Sequence, residues 1–317
     1  MIPFALTHSA SPPPPSRMRL LGRIAGHAWQ QTFTEGLSDG VRVLVGGSRM
    51  LGEHGALARL FAIPAFARLM AAQRQTDAAF FASHRHFLSR GLAMSTRIAC
   101  ALDHFRFEQA RLAPEALPAL HGEGLCLWSH PAGYQIRLRS NASKRHEGPL
   151  SLVLLGAADT LHELSFAWVS ASRLGPEAGH GPLLLATRNQ SLRADAPAME
   201  RFRADFPQNA PSYFVLAALH GLVQAFGQQR IAGVRDCRQI AYEPAHASSF
   251  RNSYDDFWAG FGGRPIGRHA MEMPVPAVVK PIERVPAKHR ARARQRREHW
   301  RQLAEAAQAA LSPYVRH

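Results

Sequence analysis

The chain has very little lysine. Of its 38 basic residues, three are Lys, at positions 144, 280 and 288, and the other 35 are Arg. An Ala- and Arg-rich composition short of Lys is typical of a GC-rich genome, although guanidinium groups also pair well with phosphate and carboxylate. With a formal charge of +15 and a pI near 11.1, the sequence predicts an anionic partner: membrane lipid head groups, nucleic acid or an acidic protein.

Cysteine is scarce too. Cys100, Cys126 and Cys237 are far apart and include no Cys-x-x-Cys pair, which excludes a disulfide framework or a zinc knuckle. This usage fits a reducing compartment. Histidine is plentiful, but its spacings give no His-x-x-x-His helix pair beside a carboxylate, so no metal site is predicted.

Long apolar runs are missing as well. None approaches the roughly 18 residues of a membrane span, and residues 2–6 are too short for the apolar part of a signal peptide. We therefore expect a cytoplasmic protein, with peripheral attachment at the inner membrane as a related prediction from its basic charge. A Gly-x-Ser-x-Gly elbow, a P-loop and a Rossmann fingerprint are also missing, so whether the chain is an enzyme stays open and no resident cofactor is predicted.

The pattern changes three times along the chain. Residues 1–37 contain four consecutive prolines and are predicted to be a flexible leader and linker. Apolar residues at three- and four-residue steps predict a helical region over 38–113. Alternating and continuous apolar runs predict an α+β domain over 114–273, and a Pro-rich segment with a basic helix follows over 274–317.

Within the α+β domain, Tyr134, Ile136 and Leu138 alternate with polar residues, which predicts a half-buried strand. Further strands are predicted near 150–155, 161–169, 183–187 and 230–234, and helices near 197–206 and 211–226. The expected fold is α+β: N-terminal helices, then a mixed, mostly antiparallel sheet with packed helices, and a basic C-terminal helix.

Three segments together resemble the VirK/YbjX family of bacterial proteins. They are a His-aromatic-Leu stretch at 83–105, the aromatic tract SYDDFWAGFGG at 253–263, and the Pro-rich strand with the Arg-rich helix beyond it. The resemblance implies an accessory role in envelope integrity, antimicrobial-peptide resistance or virulence, with no known molecular activity. The chain departs from the family at 186–191, where two glycines are replaced and Gln190 is kept.

The order of strands and helices is also similar to the plan of GNAT-type acyltransferases. In that plan a splayed strand pair and a helix N-terminus hold the pantetheine and pyrophosphate of acyl-CoA. The similarity implies an acyl-CoA- or acyl-carrier-dependent transferase, with Arg188, Gln190 and Arg193 as ligand-binding residues. The Gly-rich pyrophosphate loop of that superfamily is absent.

Three residues are weak candidates for catalysis. His84 lies in the family-matching helix, Tyr254 could act as a general acid, and Asp255 could act as a base. The favoured alternative is structural: Asp255 and its neighbour Asp256 cap a helix whose aromatic residues pack into the core. Gly262 would then end that helix in a left-handed conformation.

The C-terminal helix carries the strongest charge pattern. Arg290, Arg294, Arg297 and Arg301 recur at three- and four-residue steps, which predicts a basic stripe. Such a stripe could bind the phosphates of nucleic acid or lipid, and nucleic-acid binding is the third functional hypothesis. The alternative is a solvated helix that docks through a narrow side formed by Ala291, Leu303, Ala306 and Ala310.

Overall fold

The fold is built on a single mixed sheet. It is seen in a computed structural model that describes residues 16–72, 87–141, 147–157, 159–191 and 196–316. Eight strands of this described chain are β1 Leu125–Ser129, β2 Gln135–Ser140, β3 Leu150–Leu155, β4 Thr160–Ser170, β5 Pro182–Gln190, β6 Arg230–Val234, β7 Arg264–Ile266 and β8 Ala270–Pro274. Their order across the sheet is β1-β2-β3-β4-β5-β6-β8-β7.

Neighbouring strands are antiparallel except for β5 and β6. These two are parallel, and the chain crosses between them through two helices. The expected α+β class and mixed, mostly antiparallel sheet are therefore confirmed. The sheet's one parallel pair joins residues 184–186 to residues 231–233.

Helices pack against the sheet, and six of the eleven in the described residues precede it in the chain. They are α1 Arg17–Glu35, α2 Leu37–Gly52, α3 His54–Phe61, α4 Pro64–Ala72, α5 Met94–Arg111, α6 Ala116–His121, α7 Ala196–Asp205, α8 Pro211–Ala225, α9 Ala247–Ser253, α10 Asp255–Ala259 and α11 Ala287–Leu311. Among them and throughout the described ranges, no helix is both long and apolar enough to cross a bilayer.

Helix α1 occupies positions that the sequence analysis assigned to the flexible leader and linker at 1–37. The reason is a four-residue spacing: Leu20, Ile24 and Ala28 are buried along one side of the helix. Ser16 also caps the helix by accepting a hydrogen bond from the Arg19 amide. Linker behaviour is therefore not seen over residues 17–35.

Both faces of the sheet are covered. Strand β4 is buried at nine consecutive positions, and its side chains alternate between two apolar cores. Phe166 and Trp168 point towards α8 and α11, whereas Ala167 and Val169 point towards the N-terminal helices. This double burial explains why the strand reads as a continuous apolar run rather than an alternating one.

Helix α11 docks on α8 through its C-terminal half. The two backbones approach so closely at Gly221 that a Cβ there would lie 2.0 Å from the Ala304 carbonyl oxygen. The buried side of α11 consists of Ala293, Leu303, Ala307 and Leu311. The predicted side shared only Leu303, and Ala291 is exposed, because the docked face follows the four-residue step 303-307-311.

Candidate functional site at the end of strand β5

Strand β5 continues beyond its parallel partner. Pairing with β6 stops at Ala186 and Gly233, whereas β5 stays paired with β4 as far as Gln190. On the side where β6 would continue, residues 187–190 of β5 contact polar groups of other segments instead of a strand. The two parallel strands thus separate at Thr187, and polar groups from several segments of the chain converge there.

Tyr254 occupies the point of separation. Its side chain is fully buried, and its hydroxyl oxygen lies 3.4 Å from the Asn189 backbone nitrogen, which donates to it. Burial raises the pKa of the phenol above its ordinary value. Tyr254 therefore keeps its proton at neutral pH, as a general acid must.

Arg188 forms a buried ion pair beside Tyr254. Its guanidinium contacts the Glu147 carboxylate, and both side chains are almost fully buried. Gln239 donates from Nε2 to Glu147 Oε1 at 3.2 Å, and the Thr187 hydroxyl donates to the Glu147 carbonyl oxygen. Since Arg188 already has a carboxylate partner, its predicted role in ligand binding stays a prediction.

A second set of bonds fixes Asn189. His162 Nε2 lies 2.7 Å from Asn189 Oδ1, and the Asn189 side chain donates to the Ser253 carbonyl oxygen at 3.0 Å. Burial lowers the pKa of His162 to about 4, so its ring is neutral at pH 7. These two bonds fix the side chain of Asn189 at its oxygen and at its nitrogen. The residue is thereby held in place next to Tyr254, whose hydroxyl accepts from the Asn189 backbone N–H.

The remaining predicted site residues divide into two groups. Gln190 ends β5 opposite Glu163, at the rim of the site. His84 and Arg193 lie outside the described residues. Sequence reasoning missed Glu147 and Gln239, because each lies in an irregular segment where no period or motif marks it.

Asp255 does not cap a helix as predicted. Its Oδ2 accepts hydrogen bonds from Arg235 at 3.2 and 3.1 Å, and its Oδ1 accepts one from the Asp236 backbone N–H at 2.8 Å. The residue at the cap position is Tyr254. Asp255 instead fastens α10 to the loop after β6, so its carboxylate is already occupied by donors rather than open to act as a base.

The aromatic tract anchors α10 to the sheet. Trp258 is fully buried, donates from its indole N–H to the Val234 carbonyl oxygen at 3.0 Å, and lies directly over Gly233. A Cβ at Gly233 would come within 2.3 Å of the Trp258 ring, so only glycine fits there. Gly262 has the expected left-handed conformation, with φ +85°.

The predicted basic stripe on α11 has mostly internal contacts. Arg290 donates to the carbonyl oxygens of Val285 and Glu283, and Arg297 donates to that of Lys280. These bonds tie the helix to the Pro-rich segment before it but leave the charges uncompensated.

Arg301 is different because its charge is balanced. Its guanidinium forms ion pairs with two carboxylates, at 2.5 Å from Nη2 to Glu298 Oε1 and at 2.6 Å from Nη1 to Glu305 Oε1. Arg294 is exposed, and so are Lys288 and Arg292. Binding of an anionic partner by this helix stays a prediction, which these exposed residues would carry.

A second buried carboxylate lies on α5, next to side chains of β3 and β4. Glu108 on α5 is 1% exposed, and its oxygens lie 3.3 Å from His104 Nε2 and 3.4 Å from His121 Nε2. The Trp168 backbone N–H donates to His104 Nδ1 at 3.2 Å, which places the ring proton on Nε2, towards Glu108. On its other side, His121 Nδ1 lies 2.5 Å from the Ser140 hydroxyl.

The contacts with histidine control the charge of Glu108. Burial alone would raise the pKa of this carboxyl, but His104 and His121 outweigh it and lower the pKa to about 2. A cavity with room for about one water molecule adjoins the cluster and is otherwise lined by apolar side chains, among them Phe107 and Leu150. In the part of the chain that the structure describes, no group of three or more His, Cys, Asp or Glu is arranged to hold a metal ion.

Comparison with models of known protein families shows to which family the chain belongs. The model of a family described as a protein of unknown function, DUF535, matches residues 49–176 and 210–309, well over half of the chain. The chain belongs to the DUF535 family. DUF535 is the family identified above as VirK/YbjX, so that resemblance is confirmed. No curated protein and no solved structure matches this DUF535 chain.

The DUF535 match covers most of the candidate site. Residues 49–176 include Glu147 and His162, and residues 210–309 include Gln239, Tyr254 and the basic helix. The segment between them, 177–209, holds Arg188 and Asn189, the same region in which the sequence departs from the family pattern.

Proposed function

We propose that this protein is an acyltransferase that takes its acyl group from a thioester, such as acyl-CoA or an acyl carrier. The observation that carries the proposal is the position of the Tyr254 hydroxyl, at the point where the two parallel strands separate. A buried phenol that keeps its proton, beside a strand edge that β6 does not pair, can donate that proton to a leaving thiolate.

The sheet topology supports the proposal through the GNAT plan described above. In that plan the pantetheine arm lies between two parallel strands that splay apart. Here β5 and β6 are parallel, follow one another across α7 and α8, and pair over only three residues each. Residues 187–190 of β5 then offer a stretch of strand with one side unpaired by β6.

The chemical step needs one proton from the protein. The acceptor's nucleophile forms a bond to the acyl carbon while the carbon–sulfur bond breaks. The departing thiolate takes the hydroxyl proton of Tyr254, and the acceptor's own proton passes to water. Tyr254 is then reprotonated from solvent, so atoms and charge balance over the cycle.

The same geometry indicates how the donor would enter. At 3.4 Å, the bond between the Asn189 amide and the Tyr254 hydroxyl is long and weak, and a carbonyl oxygen of the pantetheine arm could replace it. Gln190 follows at the rim, and α7 begins shortly after it at Ala196. Helix N-termini favour phosphate, so we assign this end, with Arg193 by its place in the sequence, to the phosphates of the donor.

The cellular role that the family resemblance implies fits such an activity. Envelope integrity and resistance to antimicrobial peptides both depend on the chemistry of envelope components. Acyl transfer to one of them would account for an accessory role, and we propose it as the molecular activity behind that role.

Calorimetric titration with acetyl-CoA and with palmitoyl-CoA tests the proposal. We expect at least one of them to bind the full chain, and to compete with free CoA. Free CoA that binds equally well alone would identify the phosphate end as the main anchor. If neither thioester nor CoA binds, the proposal is wrong.

A further inference from the structure

Exposed apolar side chains are concentrated in one place. Eight of the nine large hydrophobic residues that are exposed within the described ranges lie on the α1–α2 hairpin. They are Met18, Leu21, Trp29, Phe33, Leu37, Val41, Leu44 and Val45. The ninth, Val278, lies in the Pro-rich segment. Scattered single residues of this kind need no explanation, but eight within two consecutive helices do.

On each helix these residues occupy other positions than the buried residues that hold the hairpin together. Between the helices, Leu20, Ile24 and Met50 are buried. Gly47 and Gly40 allow this close packing, since a Cβ at Gly47 would lie 2.4 Å from the Ile24 side chain. The hairpin is thus already closed on itself, and its exposed face is not required to hold the two helices together.

The tip of the hairpin is aromatic. Trp29 and Phe33 stack edge to face at 4.9 Å near the end of α1, and both are about 70% exposed, at 69% and 71%. The turn at Gly36, with φ +107°, is followed by Leu37, which is 75% exposed, at the start of α2. Trp and Phe on one helix face are typical of segments that insert at a membrane interface.

The net positive charge of the hairpin indicates which kind of membrane surface it would bind. Residues 16–52 contain five Arg and two acidic residues. Arg17 and Arg19 are exposed at the start of α1, and the exposed Arg42 side chain beside Val41 is paired with Asp39 at 2.7 Å. An apolar face with an excess of cations complements anionic lipid, in which the acyl region receives the aromatic residues and the head groups receive the guanidinium groups.

We infer that the α1–α2 hairpin is a membrane-surface anchor that inserts its apolar face into bilayers rich in anionic lipid. This inference does not depend on the acyltransferase proposal, because it rests on different residues. It also assigns membrane attachment to a different element from α11, whose charge first suggested it.

Vesicle flotation with the full chain tests the inference. Two vesicle compositions are compared, phosphatidylcholine alone and phosphatidylcholine with 30% phosphatidylglycerol (roughly the anionic content at which basic amphipathic segments bind). We expect the protein to float with the anionic vesicles and to lose about a hundredfold in partitioning in the variant Trp29→Gln/Phe33→Gln. Both changes lie on an exposed helix surface, so circular dichroism should show an unchanged fold.

Val278→Gln is the matched control, since it removes an exposed apolar side chain away from the hairpin. It should float like the parent chain. Arg292→Gln/Arg294→Gln should also keep most of its binding, which separates the hairpin from α11. Equal flotation of the parent chain and the Trp29/Phe33 variant would overturn the inference.

The oligomeric state provides the second readout. A second copy of the chain could also cover the apolar face, and sedimentation equilibrium would then show a dimer that the Trp29/Phe33 variant disperses. If that dimer forms and the parent chain does not float, the face is a dimer interface and the inference is wrong. A parent chain that stays monomeric without lipid and floats with anionic vesicles supports it.

Discussion

Two buried carboxylates in this molecule are neutralised in different ways. Glu147 contacts the guanidinium of Arg188, and it lies where the strands β5 and β6 separate. Glu108 contacts two histidines and lies among apolar side chains beside a cavity for about one water molecule. The Glu108 cluster is enclosed by apolar side chains, whereas the Glu147 cluster lies where the pairing of β5 with β6 ends. Burial of charge alone therefore does not identify a functional site.

Removal of the Glu147 charge should have the largest effect on stability. Glu147→Gln leaves the Arg188 guanidinium buried without a counter-charge, which should cost about 3–5 kcal/mol in the free energy of unfolding. Urea denaturation followed by fluorescence measures it. The double variant Glu147→Gln/Arg188→Met should recover part of that loss, and a double variant less stable than the single one would contradict the pairing.

Acid should destabilise the protein through Glu108. Its folded pKa of about 2 lies below the ordinary value of 4.5, so the unfolded chain takes up a proton first as the pH falls. The stabilisation is present above pH 4.5 and disappears between 4.5 and 2, an expected loss of about 3 kcal/mol. Buried His162 and His220, whose pKa values burial lowers to about 4, add a loss of the same sign between pH 6.5 and 4.

Replacement of Glu108 should have a smaller effect at neutral pH. Glu108→Gln keeps the shape and one acceptor but loses two charge-assisted contacts, which should cost about 2 kcal/mol. The same variant should show a flatter dependence of stability on pH between 4.5 and 2. Thermal unfolding at pH 7 and at pH 3.5 gives both values, and equal acid sensitivity of the variant and the parent would exclude Glu108 as the cause.

The smallest expected effect concerns α11. Arg294→Gln removes an uncompensated cation, whereas Arg301→Gln removes one that Glu298 and Glu305 already balance. If the helix binds nucleic acid, the first change should reduce the slope of log binding constant against log salt by about 1, and the second should leave it nearly unchanged. Fluorescence anisotropy with a labelled oligonucleotide measures both slopes, and equal slopes would count against this surface.

The sequence predicted the regular elements well for a physical reason. Apolar periodicity depends on the neighbours along the chain, so the strand at 230–234 has the bounds that the pattern indicated, and the basic helix lies within the predicted segment 274–317. The helix after Ser16 was missed because prolines before it and glycines within it outweighed the four-residue spacing of Leu20 and Ile24. The family resemblance rested on three segments, and one of them, the aromatic tract, contains Trp258, which packs over Gly233.

The candidate site was less predictable because its contacts join distant positions. Tyr254 was named from its aromatic neighbourhood, but its bond to Asn189 spans 65 residues. Glu147 meets Arg188 across 41 residues, and Gln239 meets Glu147 across 92. Asp255 was misassigned as a cap for the same reason, since its partner Arg235 belongs to another segment. No local period or spacing encodes such pairs.

Two buried tyrosines allow the most direct test of the acyl-transfer proposal. The Tyr134 hydroxyl donates to Asp205 at 2.7 Å, and burial with that bond raises its pKa to about 12. Tyr134→Phe therefore removes the same atom as Tyr254→Phe, but away from the strand separation. Release of free thiol from acetyl-CoA and palmitoyl-CoA is followed with a panel of amine and lyso-lipid acceptors.

We expect Tyr254→Phe to bind the thioester with little change and to lower kcat by about a hundredfold, as loss of a general acid does. Tyr134→Phe should keep the parent kcat. Equal kcat values in the two variants, or no thiol release by the parent chain above the rate in buffer, would contradict the proposal that Tyr254 donates the proton for acyl transfer.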